Sequence, residues 1–159
     1  MSREFTHIDA NNQPTMVDVG DKQVTSRTAR ARCIIELPDP VRQAMENDEI
    51  QSKKGPVFQT AIIAGVMAAK KTHELIPFCH PIGMEHCTIS IRPNADRNLE
   101  VTCECRITAK TGIEMEALTG CSVAALTVYD MCKALSHDIV IRETRLIHKT
   151  GGKSDFQAP

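Results

Sequence analysis

Ala29, Ala31, Cys33, Ile35 and Leu37 alternate with Thr28, Arg30, Arg32 and Glu36, with only an apolar Ile34 out of step, and a period of two marks a half-buried strand. The same period returns in Cys87, Ile89 and Ile91. After the turn-forming PNADRN it resumes in Leu99, Val101, Cys103, Cys105 and Ile107, so the two runs predict an antiparallel hairpin. Between these strands, Asp39 as N-cap and Pro40 at the first helical position open a short helix that stops near Asn47. A second helix is predicted over 57–73, after Gly55 and Pro56 and before Pro77. The stretch EALTGCSVAALTVYDMCKAL then stays apolar on almost every side for about five turns, behind a Thr111/Glu114 pair that fits a capping box. A helix apolar all round is buried on more than one face. In so short a chain the second cover is expected to be another subunit. DIVIRETRLIH reads as the last strand.

The order strand, two helices, two strands, helix, strand fits the split βαβ, ferredoxin-like plan. The expectation is an α+β fold with an antiparallel sheet, helices packed on one face, and homo-oligomeric assembly. One domain should span 1–159, with polar residues 1–15 as a mobile arm and 149–159 as a flexible tail.

Composition narrows the function classes. Lys and Arg number 19 against 20 Asp and Glu, a net charge of -1, so no global field recruits nucleic acid or membrane. Aromatics make up 3% and form no cluster for base stacking. The chain has no run of about 18 apolar residues and no charged-then-apolar leader, so a cytoplasmic location is expected. Seven cysteines, an odd number set mostly in apolar patterns, read as reduced thiols. Cys87, Cys103 and Cys105 fall on the apolar face as small core residues.

Three familiar motifs fail. HELIP has Pro77 where H-E-x-x-H needs its second His. GGKS has Ile147 where a P-loop needs its first Gly, and only five residues follow Ser154. Cys79, His80, His86 and Cys87 lack the C-x₂₋₄-C spacing of structural zinc, so no metal site is expected.

Three clusters remain. In IPFCHPI, Pro77 and Pro81 restrain Ile76 and His80, so the segment should run nearly straight, with Cys79 toward the core and His80 toward a cavity. A rigid connector with a satisfied histidine explains this stretch equally well. Glu114 and Glu116 flank Met115 at the start of the long helix, where carboxylates also serve as caps. Asp130 and Lys133 share a face of its apolar end, a placement that favours function over a structural ion pair. Glu116 and Asp130 stand about 21 Å apart along a straight helix. Both can serve one small-molecule site only if two subunits bring opposite helix ends together. A noncatalytic oligomeric scaffold also accounts for the apolar helix, but gives no reason for Asp130 and Lys133 inside it.

The segments THIDANNQPTMVDVGDK, KKGPVFQTAIIAGVMAAKKTHELIPFCHPI, KTGIEMEALTGCSVAALTVYDMCKAL and KTGGKSDF, in this order, resemble the MoaC family, the cyclic pyranopterin monophosphate synthases of molybdenum cofactor biosynthesis. The resemblance implies conversion of 3′,8-cyclo-7,8-dihydro-GTP to cyclic pyranopterin monophosphate and pyrophosphate by general acid/base chemistry. It implies no cofactor, leaving open a divalent ion on the triphosphate, and a homohexamer built as a trimer of dimers. By position it carries over Lys54 and Lys133 as acid/base groups, desolvation in a pocket lowering their pKa values, with Asp130 as partner of Lys133. It assigns Phe78, Cys79, His80, Glu114, Met115 and Glu116 to substrate binding. For the triphosphate, Arg27, Lys149 and Lys153 are the suited cations.

Overall fold

A computed structural model describes residues 7–159. Twelve elements follow in order: β1 (Thr25–Glu36), α1 (Asp39–Gln43), β2 (Met45–Glu46), β3 (Glu49–Ser52), β4 (Gly55–Pro56), α2 (Val57–Lys70), α3 (Thr72–Leu75), β5 (His86–Pro93), β6 (Leu99–Ala109), α4 (Glu114–Cys132), β7 (Val140–Thr150) and β8 (Phe156–Gln157). The main sheet has the order β5-β6-β1-β7-β8 and every pairing in it is antiparallel. β5 therefore runs parallel to β1 with β6 inserted between them, which is the split βαβ arrangement. The fold is mixed α and β with the antiparallel sheet that alternation predicted.

The alternating residues do face inward. Ala29, Ala31, Cys33 and Ile35 of β1 join Leu99, Val101, Cys103 and Cys105 of β6 in the core beneath the helices. Burial pushes the Cys121 thiol up to about 12 and the Cys132 thiol to about 11, as suits thiols used as packing. α2 and α4 pack closely against each other, with α4 on β1, β6 and β7 and α2 on β5. Their crossing depends on two glycines: a Cβ at Gly65 would stand 2.7 Å from the Gly120 carbonyl oxygen. No helix among the described residues is long and apolar enough to cross a membrane.

Several boundaries differ from expectation. α1 ends at Gln43, and Pro38, not Asp39, is its cap. The chain then folds into the small sheet β2-β3-β4, whose strands of two to four residues carry no readable period. The helix expected over 57–73 breaks after Lys70 and resumes as α3. Thr111 does not cap α4; Ile113 holds the cap position without a side-chain bond. In place of a tail beginning at Lys149, β7 runs through Thr150, and the chain returns as β8 opposite His148 and Lys149. Gly151 makes that return possible, with φ of +83° and no space for a Cβ against the Ser26 carbonyl. The arm expected over 1–15 lies outside the described residues up to 6; beyond them, Ile8 and Pro14 form an isolated bridge.

Within one chain α4 is buried on one side only. Glu116, Ala117, Gly120, Cys121, Ala124, Ala125, Val128 and Cys132 form one buried stripe, whereas Leu126 is 57% exposed. On α2, Ile63 and Met67 are likewise exposed, one helical turn apart. The apolar outer surface is real, and none of the described residues covers it.

Candidate functional site

Two clefts of about 510 Å³ each hold the predicted site residues, and they divide them cleanly. The first lies where the start of α4 meets β1, the end of β7 and the loop after α3. It gathers Arg27, Phe78, Cys79, His80, Glu114, Met115, Glu116, Lys149 and Lys153, all the residues expected to bind substrate. The second lies at the far end of α4 and holds Lys54, Asp130 and Lys133, the residues expected to be catalytic.

In the first cleft, Arg27 is braced before any ligand arrives. Its Nε donates to the Ala109 carbonyl at 3.2 Å and its Nη2 to the Lys110 carbonyl at 3.1 Å. Nη1 stays on the side of Gly152, within a loop held against β1 by Thr25 Oγ1 donating to the Gly151 carbonyl at 2.7 Å. Lys153 follows in that loop. Lys149 Nζ donates to Glu114 Oε1 at 3.0 Å, so Glu114 spends its carboxylate on an ion pair instead of a capping box.

IPFCHPI is not straight. The Cys79 N–H donates to the Ile76 carbonyl at 3.1 Å, closing a turn with Pro77 at its second position, where its fixed φ is favoured. The turn puts both Cys79 and His80 on the cleft, correcting the expected division between core and cavity. Burial raises the Cys79 pKa, and the charge of Glu116 raises it further. His80 Nε2 lies 2.8 Å from the Val17 carbonyl, which can only accept, so Nε2 carries the proton and Nδ1 is free to accept. Phe78 stacks on His7 with ring centroids 6.4 Å apart.

Glu116 is only 5% exposed. Burial pushes its carboxyl up to about 7 from 4.5; its own backbone N–H opposes the shift and the Glu114 charge adds to it. Because this pKa is raised on folding, the folded chain holds the proton more tightly. The protein is then most stable below about pH 4.5 with respect to this group and loses stability as pH rises to about 7. The loss amounts to about 3 kcal/mol. Glu116→Gln should flatten that decline, visible as a melting temperature that falls less between pH 5 and pH 8 than in the parent protein. An unchanged pH dependence would remove burial as the cause.

The second cleft is built from the β3–β4 hairpin and the last turn of α4. Ser52 Oγ donates to the Gly55 carbonyl at 2.9 Å and accepts from the Lys54 N–H at 3.1 Å, fixing the turn that presents Lys54. Glu49 anchors the same hairpin to α2: its carboxylate accepts from the N–H groups of Phe58 at 2.8 Å and Gln59 at 3.3 Å. Asp130 then accepts from both lysines, at 3.1 Å from Lys54 and 2.7 Å from Lys133. Lys133, first, and Lys54 hold the Asp130 carboxyl below its usual range. Within one chain desolvation does not dominate at Lys133: its side chain is 49% exposed, and Asp130 raises its pKa.

Sequence reasoning missed His7, Val17 and Lys22 in the first cleft, and Glu49 behind the second. The first three lie in the quoted N-terminal motif, and of them only His7 falls in the stretch 1–15 that reads as an arm. Glu49 meets α2 only through the small sheet.

The MoaC family model matches residues 16–152. The chain belongs to the MoaC family. It is 51% identical to a "Cyclic pyranopterin monophosphate synthase" of Xanthomonas campestris pv. campestris (strain B100) over 157 residues, covering 99% of this chain and 95% of that protein. It is 52% identical to a "Molybdenum cofactor biosynthesis bifunctional protein" of Synechocystis, covering 95% of this chain and 45% of that one. The "Molybdenum cofactor biosynthesis protein 1" of Dictyostelium discoideum is 50% identical, over 96% of this chain and 27% of its own length. A MoaC domain thus occurs both nearly alone and as a minor part of longer chains.

Proposed function

We propose that this chain is a cyclic pyranopterin monophosphate synthase, which converts 3′,8-cyclo-7,8-dihydro-GTP to cyclic pyranopterin monophosphate with release of pyrophosphate, an early step of molybdenum cofactor biosynthesis. The observation that carries this reading is the meeting, in one cleft, of every residue the family motifs assign to substrate binding. The cleft is bipolar in a way that suits the substrate. Arg27, Lys149 and Lys153 face the triphosphate, while Glu114 and Glu116 accept from the N–H groups of the purine-derived end. Binding of phosphate oxygens would draw Lys149 from Glu114 and free that carboxylate for the base.

The rearrangement opens the imidazole ring, closes the pterin and pyran rings, and directs a sugar hydroxyl at the α-phosphorus. It needs positioned proton donors and acceptors and cations on the departing pyrophosphate, with no resident redox group. A divalent ion, where present, arrives with the triphosphate. In the resting protein the ammonium of Lys133 is the proton-bearing group, held by ionised Asp130, with Lys54 as the second exchangeable site.

Glu116 of the first cleft and Asp130 of the second stand about 21 Å apart along α4. We therefore assign the complete site to two subunits with the ends of α4 opposed, within a homohexamer arranged as a trimer of dimers. The exposed Ile63, Met67 and Leu126 supply apolar surface for such contact. A single-turnover reaction with the cyclised GTP intermediate tests the activity. The expected result is joint appearance of cyclic pyranopterin and pyrophosphate. A folded, assembled protein that releases neither would return the reading to a noncatalytic scaffold.

A further inference from the structure

Cys103 and Cys105 stand two apart on β6, so both side chains leave the sheet on its helix-covered face, and the hairpin register sets Cys87 of β5 opposite Cys105. Their sulfurs form a nearly equilateral triangle, 3.9 Å from Cys87 to Cys103, 3.7 Å from Cys103 to Cys105 and 3.8 Å from Cys105 to Cys87. A point equidistant from all three, the mean edge divided by √3, lies about 2.2 Å from each sulfur, close to the ~2.3 Å of a zinc–thiolate bond. None of these cysteines is in a disulfide, and none lines either cleft.

We propose that Cys87, Cys103 and Cys105 form a planar three-thiolate site for one soft, closed-shell cation of the Cu(I) class, separate from the substrate clefts. Thiolate sulfur suits both Cu(I) and zinc, and two features favour Cu(I). Structural zinc closes with four ligands, and no fourth His, Cys, Asp or Glu joins this group among the described residues. The backbone of α4 packs against the Cys103 corner, since a Cβ at Gly120 would stand 2.7 Å from the Cys103 sulfur, and this works against a water as fourth ligand on that side.

Cys103 and Cys105 are fully buried, while half-buried Cys87 gives an ion its entry. The charges of Lys70 and His86 bear on Cys87 and partly offset an anionic complex; the Glu116 carboxylate, which bears on Cys105, acts against them. Binding replaces each S–H bond with a sulfur–metal bond and releases up to three protons, with no change of oxidation state.

The test is an anaerobic titration of the reduced, full-length protein with Cu(I) alone, against a competing chromophoric chelator, with Zn(II) as comparator. The expected result is one Cu(I) per chain, with three sulfur neighbours at about 2.2 Å by X-ray absorption. Bound metal should protect Cys87 from alkylation. Cys87→Ser, at the accessible corner, should lower Cu(I) affinity by about tenfold or more and leave the melting temperature and turnover unchanged. Cys103→Ser should do the same to affinity; should that core variant fail to fold, the Cys87→Ser titration and the sulfur count decide. Coordination by two sulfurs, an affinity unmoved by Cys87→Ser, or tighter binding of Zn(II) than of Cu(I) would each overturn the proposal.

Discussion

Subunits carrying Lys133→Ala and subunits carrying His80→Ala, each nearly inactive alone, should regain activity when the two are co-expressed and purified as mixed oligomers. Lys133→Ala removes the proton-bearing group of the second cleft, for which a loss of about 10²–10⁴-fold in kcat is expected. His80→Ala removes the ring held over the first cleft by the Val17 carbonyl, and misplacement of substrate there should cost about 10²-fold. Neither change touches the buried core, so both variants should assemble. If a site takes its first cleft from one subunit and its second from another, a mixed pair has one site with both defects and one with none. Random pairing makes half the dimers mixed, so about a quarter of all sites are intact. Activity per subunit near that fraction would support the shared site. A mixture no more active than its parents would confine each site to one chain and leave the distance along α4 to be bridged by some other means.

Gly65→Val should destabilise the protein by about 3 kcal/mol or more, and Gly65→Ala by less but in the same direction. The sign for alanine is the informative part. At an exposed helix interior, Gly to Ala adds about 1 kcal/mol of stability through helix propensity. At Gly65 the new methyl would stand 2.5 Å from Ile89 Cδ1, 2.7 Å from the Gly120 carbonyl oxygen and 3.1 Å from the Ala124 Cβ. The Ile89 side chain can rotate away. The carbonyl is helix backbone and cannot, so α2 and α4 must separate, and the contacts along their crossing loosen together. Thermal unfolding followed by circular dichroism measures this. A Gly65→Ala protein more stable than the parent would mean that the helices can slide apart without loss.

Long elements were legible because their periods are long enough to count. β1, β5 and β6 showed in their alternation, and α4 showed as a run no strand could occupy. The small sheet was not legible, since β2 and β4 have two residues each and a period cannot appear in two positions. The residues expected to bind substrate do share one cleft, but their contacts were not legible. Glu114 finds Lys149 thirty-five positions away, because β7 extends beyond the apolar pattern that seemed to end at His148. The turn at Ile76–Cys79 was hidden for a different reason. Proline restricts its own φ and the residue before it, and that restriction fits a turn as well as an extended strand. Likewise, the alternation put Cys87 on the same face as Cys103 and Cys105, yet only the register opposite Cys105 closes the triangle.

His7 and Lys153 both stand in the wall of the first cleft. His7 begins the described residues, and beyond Lys153 the chain turns back as β8 onto His148 and Lys149, the latter also in that wall. A domain joined at either side would be tethered there at an effective concentration set by its linker, roughly millimolar for a short flexible one. In a longer chain that carries this domain beside a second one, that concentration would set how often the neighbour meets this cleft.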